Sequence, residues 1–388
     1  MRILMLNANV AGRGTYHRAL WFGSMLAARG GHDVTLCTVS PSSQWRRSER
    51  RTHGIRIVDG PAWGIRHMPG YGSNWLDLFW RWRELRFGGY DAVYAFEYHP
   101  NVSWPVALGL RPSQVLLSDW CDWYAGAANR FRGVRLLHCW DERRETAIRR
   151  KAHRVSVIST VLRDRAVNLG IDPARVTLLR EGVDTGHMRP WERAEARRAL
   201  GIDDRYMLIG TLQDGAAFPA LVDVLGHCAA RNNAARLLLV GTLAPAQRAM
   251  LASRGLAHLA IVTGRCSDEQ LPLFLSAADV FVLPMADTLA NRARFPHKIG
   301  DYLAVGRPVV LTAVGDYPAL LRDAQAAVVV ADAHAAADAA ACLLADEEQR
   351  RHLAARGRAW VREHLDWRVL APGIVSFVDA ACSARRTE

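Results

Sequence analysis

The sequence predicts an α/β chain that uses one plan twice: a parallel, doubly wound sheet with helices on its faces, then a second of the same kind. Three observations carry this. Short apolar runs alternate with helical segments from Arg2 to Leu179, the mark of successive β–α–β units. A polar, charged interval follows, and the alternation restarts at Tyr206 and runs to Val330. The length, 388 residues, exceeds what one hydrophobic core organises, so two domains are expected.

Arg2–Asn7 reads as the opening strand. The turn Ala11-Gly-Arg-Gly14 leads to a helix from Tyr16 to Arg29, which Gly30-Gly31 stops. Strands are expected at Val34–Val39, Ile55–Val58, Asp91–Phe96, Gln114–Ser118, Val155–Ile158 and Val176–Leu179. The regularity breaks twice. Residues 41–53 read as a basic, polar loop with Arg46, Arg47, Arg50 and Arg51. Residues 61–88 mix Trp63, Trp75, Trp80 and Trp82 with Arg66, Arg81, Arg83 and Arg86. That second stretch reads as core packing with snorkelling arginines, and its alternative is a peripheral contact with an anionic membrane. Eleven of the 13 tryptophans precede residue 192, so the halves differ in what they bury or bind.

Thr185 to Arg198 reads as the hinge and lead-in to the second half. Its strands are Tyr206–Ile209, Arg236–Val240, Ala260–Val262, Val280–Leu283, Val309–Leu311 and Ala327–Val330. Helices at 333–345, 347–364 and 367–383 close the chain. The expected domains are 1–186 and 187–365, both Rossmann-like, with a final helix in 366–388 that returns to the first. Open parallel sheets bind ligands outside the carboxyl ends of their strands, so two such sheets facing each other enclose a cleft.

One stretch organises the second half: Arg294-Phe-Pro-His-Lys-Ile-Gly-Asp-Tyr-Leu-Ala-Val-Gly-Arg-Pro-Val-Val310. Phe295-Pro296 turns the chain into a helix over His297–Val305, with Ile299, Tyr302 and Leu303 on one face. Gly306 ends that helix, Pro308 forbids its continuation, and an apolar strand follows. Arg294 before the helix and Lys298 in its first turn join free N–H groups and the helix dipole in an anion site. Asp301, one turn on, is placed to accept hydrogen bonds from hydroxyls beside a phosphate. A nucleotide offers that combination.

Composition narrows the function. No apolar run reaches the ~18 residues of a membrane span, and the N-terminus lacks a signal-peptide pattern. Seven scattered cysteines give neither a disulfide framework nor a metal-ligand spacing, which fits reduced thiols in a cytoplasmic protein. No metal is expected. The formal charge of +12, nearly all from arginine, attracts polyanions without choosing among nucleic acid, anionic lipid and phosphorylated small molecules. No nucleic-acid-binding motif supports the first of these, so no nucleic-acid partner is expected.

Four segments resemble the family 4 (group 1) retaining glycosyltransferases of GT-B fold. Gly182-Val-Asp184 with Pro190 is similar to the family's hinge. Val262-Thr-Gly264-Arg265 followed by Leu271–Pro284 resembles its "f.G…l…y..aDvfvlPS" block, and Phe295–Val310 its "fp.Kl.EymA.G.PVV" block. In the first half, Gly12-x-Gly14 with Leu26-Ala-Ala-Arg-Gly-Gly-His-Asp-Val34 is similar to "G…LA..GHeV". The resemblance spans most of the chain, and its C-terminal blocks are the specific part.

It implies an acceptor-binding first domain and a second that binds a nucleotide-diphosphate sugar as substrate, with no cofactor. Asp301 matches the second acid of the E-x7-E motif, which holds the ribose. Gly264, Arg265 and Cys266 would contact the base largely through backbone groups, and Gly12 and Gly14 approach phosphate or acceptor, or only permit a tight turn. Two departures stand out. The first acid of the motif falls on Ala293, so Asn291, Arg292 or Asp287 would have to substitute. The loop Gly210–Ala217 lacks the family's cations, so Arg294 and Lys298 are assigned to the leaving diphosphate. Asp122 or Asp119 would face the sugar or acceptor, in place of a histidine usual there, and His99 reads as structural more than catalytic. The implied activity is hexosyl transfer with retention, without metal, to a glycan or lipid-linked alcohol in envelope polysaccharide or glycolipid synthesis. The setting is cytoplasmic, at most peripheral to the inner membrane face. Three readings compete: a silent nucleotide-sugar-binding paralogue, a GT-B sugar-nucleotide epimerase, and a nucleic-acid-binding protein.

Overall fold

A computed structural model describes residues 1–42, 45–62, 74–125, 135–212 and 215–387. The chain folds as two compact units, Met1–Glu181 with Trp367–Glu388, and Gly182–Asp366.

The first unit runs β1 (Arg2–Val10), α1 (Tyr16–Gly30), β2 (Asp33–Val39), β3 (Ser48–Thr52), β4 (Ile55–Gly60), α2 (Trp75–Phe87), β5 (Ala92–Phe96), α3 (Pro100–Gly109), β6 (Val115–Trp120), α4 (Arg135–Lys151), β7 (Arg154–Val157), α5 (Thr160–Asn168) and β8 (Val176–Leu178). Its described strands form one sheet in the order β3-β4-β2-β1-β5-β6-β7-β8, parallel except for β3. Strand order reverses between β1 and β5, which makes the carboxyl ends of those strands the expected ligand crevice. Ile3–Leu6 and Ala92–Phe96 are fully buried, as continuous apolar strands covered on both faces should be.

The second unit runs α6 (Arg193–Leu200), β9 (Met207–Leu212), α7 (Phe218–Arg231), β10 (Ala235–Val240), α8 (Pro245–Ser253), β11 (Ala260–Val262), α9 (Leu271–Ser276), β12 (Val280–Leu283), α10 (Leu289–Arg292), α11 (His297–Ala304), β13 (Val309–Thr312), α12 (Tyr317–Asp323), β14 (Val328–Val330), α13 (Ala333–Ala345) and α14 (Glu347–His364). Its described strands are all parallel, in the order β11-β10-β9-β12-β13-β14, with the reversal between β9 and β12. The last helix, α15 (Trp367–Thr387), belongs to the first unit and packs on α1. Trp367 stacks on Trp21 at 6.0 Å and meets Phe22 edge-on at 5.9 Å, while Phe377 lies 5.8 Å from Tyr94.

Three elements differ from the sequence expectation. The stretch read as a basic loop contains β3, an edge strand antiparallel to β4, turned by His53 and Gly54 in left-handed conformations (φ 50° and 77°). Charge holds it: Arg50 reaches Asp59 at 3.0 Å and Arg56 reaches Glu49 at 2.8 Å. The described part of 61–88 contains a regular helix, α2, while Trp63 and Arg66 lie outside the described residues. The interval read as a lead-in closes with α6.

Trp367→Ala removes the largest side chain that joins α15 to the first core. It should destabilise that unit by about 3–5 kcal/mol, read as a lower urea midpoint by tryptophan fluorescence.

Candidate active site

In the second unit, the segments that leave β9 and β12 flank the reversal of strand order. The first is 213–217, of which residues 213 and 214 lie outside the described ones. The second runs from Pro284 through α10 to α11. Aromatic stacking fixes where α11 lies: the Tyr302 ring sits on Phe281 of β12 at 3.7 Å and 2°. The Tyr302 hydroxyl accepts the Leu212 N–H, from the end of β9, at 2.7 Å. Gly210 permits this, because a Cβ there would lie 2.4 Å from the Phe281 ring. The loop before the helix is held by Phe295, which stacks on Tyr317 at 3.9 Å.

This segment brings Asn291, Arg294, Lys298 and Asp301 together. Arg294 is exposed, with Nη1 3.5 Å from Asn291 Oδ1, and Lys298 is half-buried in the first turn. Pro296 precedes the helix and has no side-chain group to cap it. The Asn291 amide donates to the Ala286 carbonyl at 2.8 Å. Arg292 and Asp287 pair with each other through two bonds, one of 2.6 Å. Ala293 is fully buried. Asp301 is buried and lies 3.3 Å from His297 Nε2, so a ribose would meet a carboxylate already beside an imidazole. On the loop after β11, Gly264 adopts φ 75° and bridges backbone-to-backbone with Gly241. Arg265 is exposed and Cys266 half-buried, its thiol pKa pushed up by burial.

In the first unit, Gly12 and Gly14 turn the chain after β1 with φ 78° and 55°. The turn is braced from inside, where the Asn7 and Asn9 amides both donate to the Thr15 hydroxyl at 2.7 and 2.6 Å. Asp119 does not present itself to a sugar or acceptor. It is fully buried, with both oxygens held by Arg18 of α1 at 2.8 and 2.9 Å, and it also accepts the Ser156 hydroxyl. Asp122, beyond the end of β6, is half-exposed and accepts the Tyr124 hydroxyl at 3.1 Å. His99 is buried ahead of α3, stacked on Tyr98 at 5.2 Å and edge-on to Tyr124 at 5.5 Å.

The residue that sequence reasoning missed is Glu97. It follows β5 at the reversal point, is fully buried, and has φ 70°, a left-handed conformation that side-chain-bearing residues adopt at a cost. The Cys121 thiol donates to it at 2.8 Å, and Arg149 Nη2 lies 3.5 Å away. Burial pushes its pKa up to about 8 against the pull of Arg149, with Asp122 adding to the rise. Glu97, Cys121 and Asp122 have donor atoms within 4.8 Å of one another, close enough to share a cation. The set does not favour one. Burial and the neighbouring carboxylates keep the thiol protonated, and the Arg149 guanidinium adjoins the group.

Helix α2 is inverted relative to the expected core packing. It buries Asp77, Arg81 and Leu85 and leaves Trp75, Phe79 and Phe87 65%, 47% and 71% exposed. The cause is Arg81, which binds Asp77 at 2.8 Å and the Asn7 carbonyl at 2.7 Å. Among the described residues no helix is long and apolar enough to cross a membrane.

Two family models match the chain, Glycosyltransferase Family 4 over residues 22–187 and Glycosyl transferases group 1 over residues 203–346. The chain belongs to these glycosyltransferases. It is 27% identical over 243 residues to a GDP-mannose-dependent alpha-(1-6)-phosphatidylinositol monomannoside mannosyltransferase of Mycobacterium tuberculosis, a match to 60% of this chain and 63% of that protein. It is 30% identical over 161 residues to a D-inositol 3-phosphate glycosyltransferase of Mycobacterium bovis, covering 40% of this chain and 32% of that one. Among solved structures it is similar to sucrose-phosphate synthase from Thermosynechococcus elongatus, with TM-score 0.80, 19% identity and 99% of both chains covered. It is also similar to the lipopolysaccharide glycosyltransferase WaaG, with TM-score 0.71, 18% identity, and 97% of this chain and 99% of that one covered. Both are GT-B folds of two parallel-sheet domains, and this glycosyltransferase has the same fold.

In this family 4 chain neither Glu97 nor the Tyr302 lock left a readable mark, since backbone strain and a partner distant in sequence are invisible in a single sequence. Glu97 carries a consequence for pH. The folded chain keeps its proton at pH values where the unfolded chain, at the ordinary carboxyl value, has lost it. The folded state therefore binds more protons from about pH 4.5 to about pH 8, and stability falls as pH rises through that window. Glu145, pushed up to about 7 by burial, acts with the same sign. Glu97→Gln should flatten this fall, measured as urea midpoints between about pH 5 and about pH 8.5.

Proposed function

We propose that the chain transfers a hexose from a nucleoside-diphosphate donor to an alcohol acceptor, a glycan or a lipid-linked sugar, with retention and without metal or other cofactor. The observation that carries this is the loop–helix segment at the β9/β12 reversal, with Arg294 and Lys298 around the first turn of α11, in a chain of this family. Breaking the C1–O bond leaves negative charge on the diphosphate. Two cations and the N-terminal amides of α11 are the groups that stabilise it, which is the largest single contribution available to such a reaction. Asp301 with His297 takes the ribose hydroxyls, and the Gly264–Cys266 backbone takes the base. Asp122 in the first unit is the carboxylate offered to the acceptor or the sugar. GDP-mannose and UDP-glucose are the first donors to try, since the mycobacterial mannosyltransferase is named for the former and HepE of Anabaena is described in complex with the latter.

One observation favours a second reading, a chain that binds the nucleotide sugar and no longer transfers it: Ala293 sits fully buried where the motif's first acid belongs. Calorimetry with UDP and GDP beside a turnover assay separates the two. Binding with no transfer or hydrolysis of any donor selects the silent reading. For the transferase, one nucleotide-diphosphate sugar class should raise the thermal midpoint, and Lys298→Ala should abolish that rise and lower kcat by about 10²–10³-fold.

The setting we propose is an anionic membrane surface. On α2 the exposed Trp75, Phe79 and Phe87 stand with Arg83, whose guanidinium lies 5.2 Å from the Trp80 ring. On neighbouring helices Trp104, Leu108 and Trp140 are also more than half exposed, with Arg144 4.5 Å over the Trp140 ring. Apolar side chains backed by arginine suit the interface of a bilayer with acidic headgroups. The chain should co-sediment with phosphatidylglycerol vesicles and not with phosphatidylcholine ones. A Trp75→Ser, Phe79→Ser, Phe87→Ser triple variant should lose that binding while keeping donor binding.

A further inference from the structure

We propose that Glu97 is a positioning residue: through the Cys121 thiol it anchors the turn after β6, so that the Asp122 carboxylate is held at the carboxyl edge of the first sheet. This rests on the transferase reading and adds to it a residue that none of the sequence motifs named above contains.

The backbone argues first. Glycine adopts φ 70° without penalty and glutamate does not, yet glutamate stands there, at the end of β5 beside the reversal of strand order. The side chain must offset that cost. Its carboxyl group accepts a hydrogen bond from the Cys121 thiol at 2.8 Å, and Cys121 is the residue immediately before Asp122. The turn is closed by further contacts. The Trp120 indole donates to the Asp122 carbonyl at 3.1 Å, Arg149 lies over the Trp120 ring at 4.3 Å, and Arg149 reaches back to Glu97 at 3.5 Å. Everything in this ring is buried except its last member, Asp122, which is half-exposed. The arrangement therefore fixes one carboxylate at the sheet edge and hides the groups that fix it.

The protonation state follows from the surroundings. Facing Glu97 are Cys121 and Asp122 beyond β6, and Glu145 and Arg149 on α4, while Tyr98 and His99 follow it on its own segment and Tyr98 bonds Asp141 at 2.8 Å. Burial raises the Glu97 pKa most, Arg149 opposes it, and Asp122 and Glu145 add to the rise, so the group is neutral at pH 7 and titrates near about 8. Ionisation then sets a second negative charge beside Asp122 and pushes that carboxylate from its place. Activity should fall on the alkaline side for this reason.

The test uses the full chain with the donor that stabilises it, and three variants. Glu97→Gln keeps the neutral shape, so its kcat at pH 7 should stay within about threefold of wild type, and the alkaline limb near pH 8 should vanish. Glu97→Gly relieves the backbone and deletes the side chain. Its kcat should fall by about 10–100-fold with donor KM unchanged, the cost of a misplaced group. Cys121→Ala should reproduce that kcat loss, which covers the case of a Glu97 variant that fails to fold. A second readout needs no turnover: tryptophan fluorescence, through Trp120, should titrate near pH 8 in wild type and not in Glu97→Gln. Wild-type turnover in Glu97→Gly, or an alkaline limb and a fluorescence titration that persist in Glu97→Gln, would overturn the proposal. A wild type that transfers no sugar from any donor sinks the transferase reading instead, and leaves the fluorescence titration to decide whether Glu97 holds the turn.

Discussion

The face-to-face stacking of Tyr302 on Phe281 decides where the second unit holds the N-terminus of α11. A helix N-terminus is useful to a phosphate only if it is held at the carboxyl edge of the sheet, at the reversal of strand order. Eight residues of α11 would not define that position alone, because a short helix takes its stability from packing. The stack supplies the packing at 3.7 Å, and the Tyr302 hydroxyl ties it to the Leu212 N–H at the end of β9. Thus β9, β12 and α11, the three elements around the reversal, are locked by one side chain. Gly210 belongs to the same constraint, since no other residue leaves room for the Phe281 ring.

A second constraint concerns charge. Arg18, Arg81, Arg149 and Arg197 are among the largest fully buried side chains, and each faces an acidic side chain: Asp119, Asp77, Glu97 and Asp279. Burying an ion costs several kcal/mol unless its hydrogen bonds are met, and guanidinium meets several at once in a fixed plane. Arg197 shows this, with Asp279 at 2.6 Å and the Ala277, Asp204 and Tyr206 carbonyls within 3.1 Å. Part of the arginine behind the net charge of +12 is therefore internal bracing and does not face any polyanion. Other arginines face outward, Arg83 and Arg144 among them, beside the Trp80 and Trp140 rings.

The same constraints explain what could be read in advance. Strands covered on both faces announce themselves as apolar runs, so both sheets were legible, and so was α11, whose punctuation by Pro296, Gly306 and Pro308 is local. β3 was not legible, because an edge strand held by Arg50–Asp59 and Arg56–Glu49 has no apolar alternation; only His53-Gly54 hinted at its turn. Helix α2 hid its orientation for a similar reason: the face it buries is the charged one. Asp119 and Asp122 are three residues apart and looked equivalent. What separates them is Arg18, 101 positions away, which claims one and leaves the other.

Glu97 sits where these lines meet. At the reversal point of the second sheet an aromatic stack holds a cationic helix start in place, and at that of the first a neutral acid holds an anionic turn. The two solutions suit opposite charges. A cation at a helix N-terminus opposes the dipole and must be held by packing, whereas a carboxylate next to another carboxylate is held most cheaply if one of them keeps its proton. Burial does that for Glu97, and the Cys121 thiol supplies a donor without adding charge. A lysine or arginine at position 97 would place a second cation beside Arg149, and an aspartate would fall short of the thiol. Glutamate reaches Cys121 from a left-handed backbone, and burial keeps it uncharged at neutral pH.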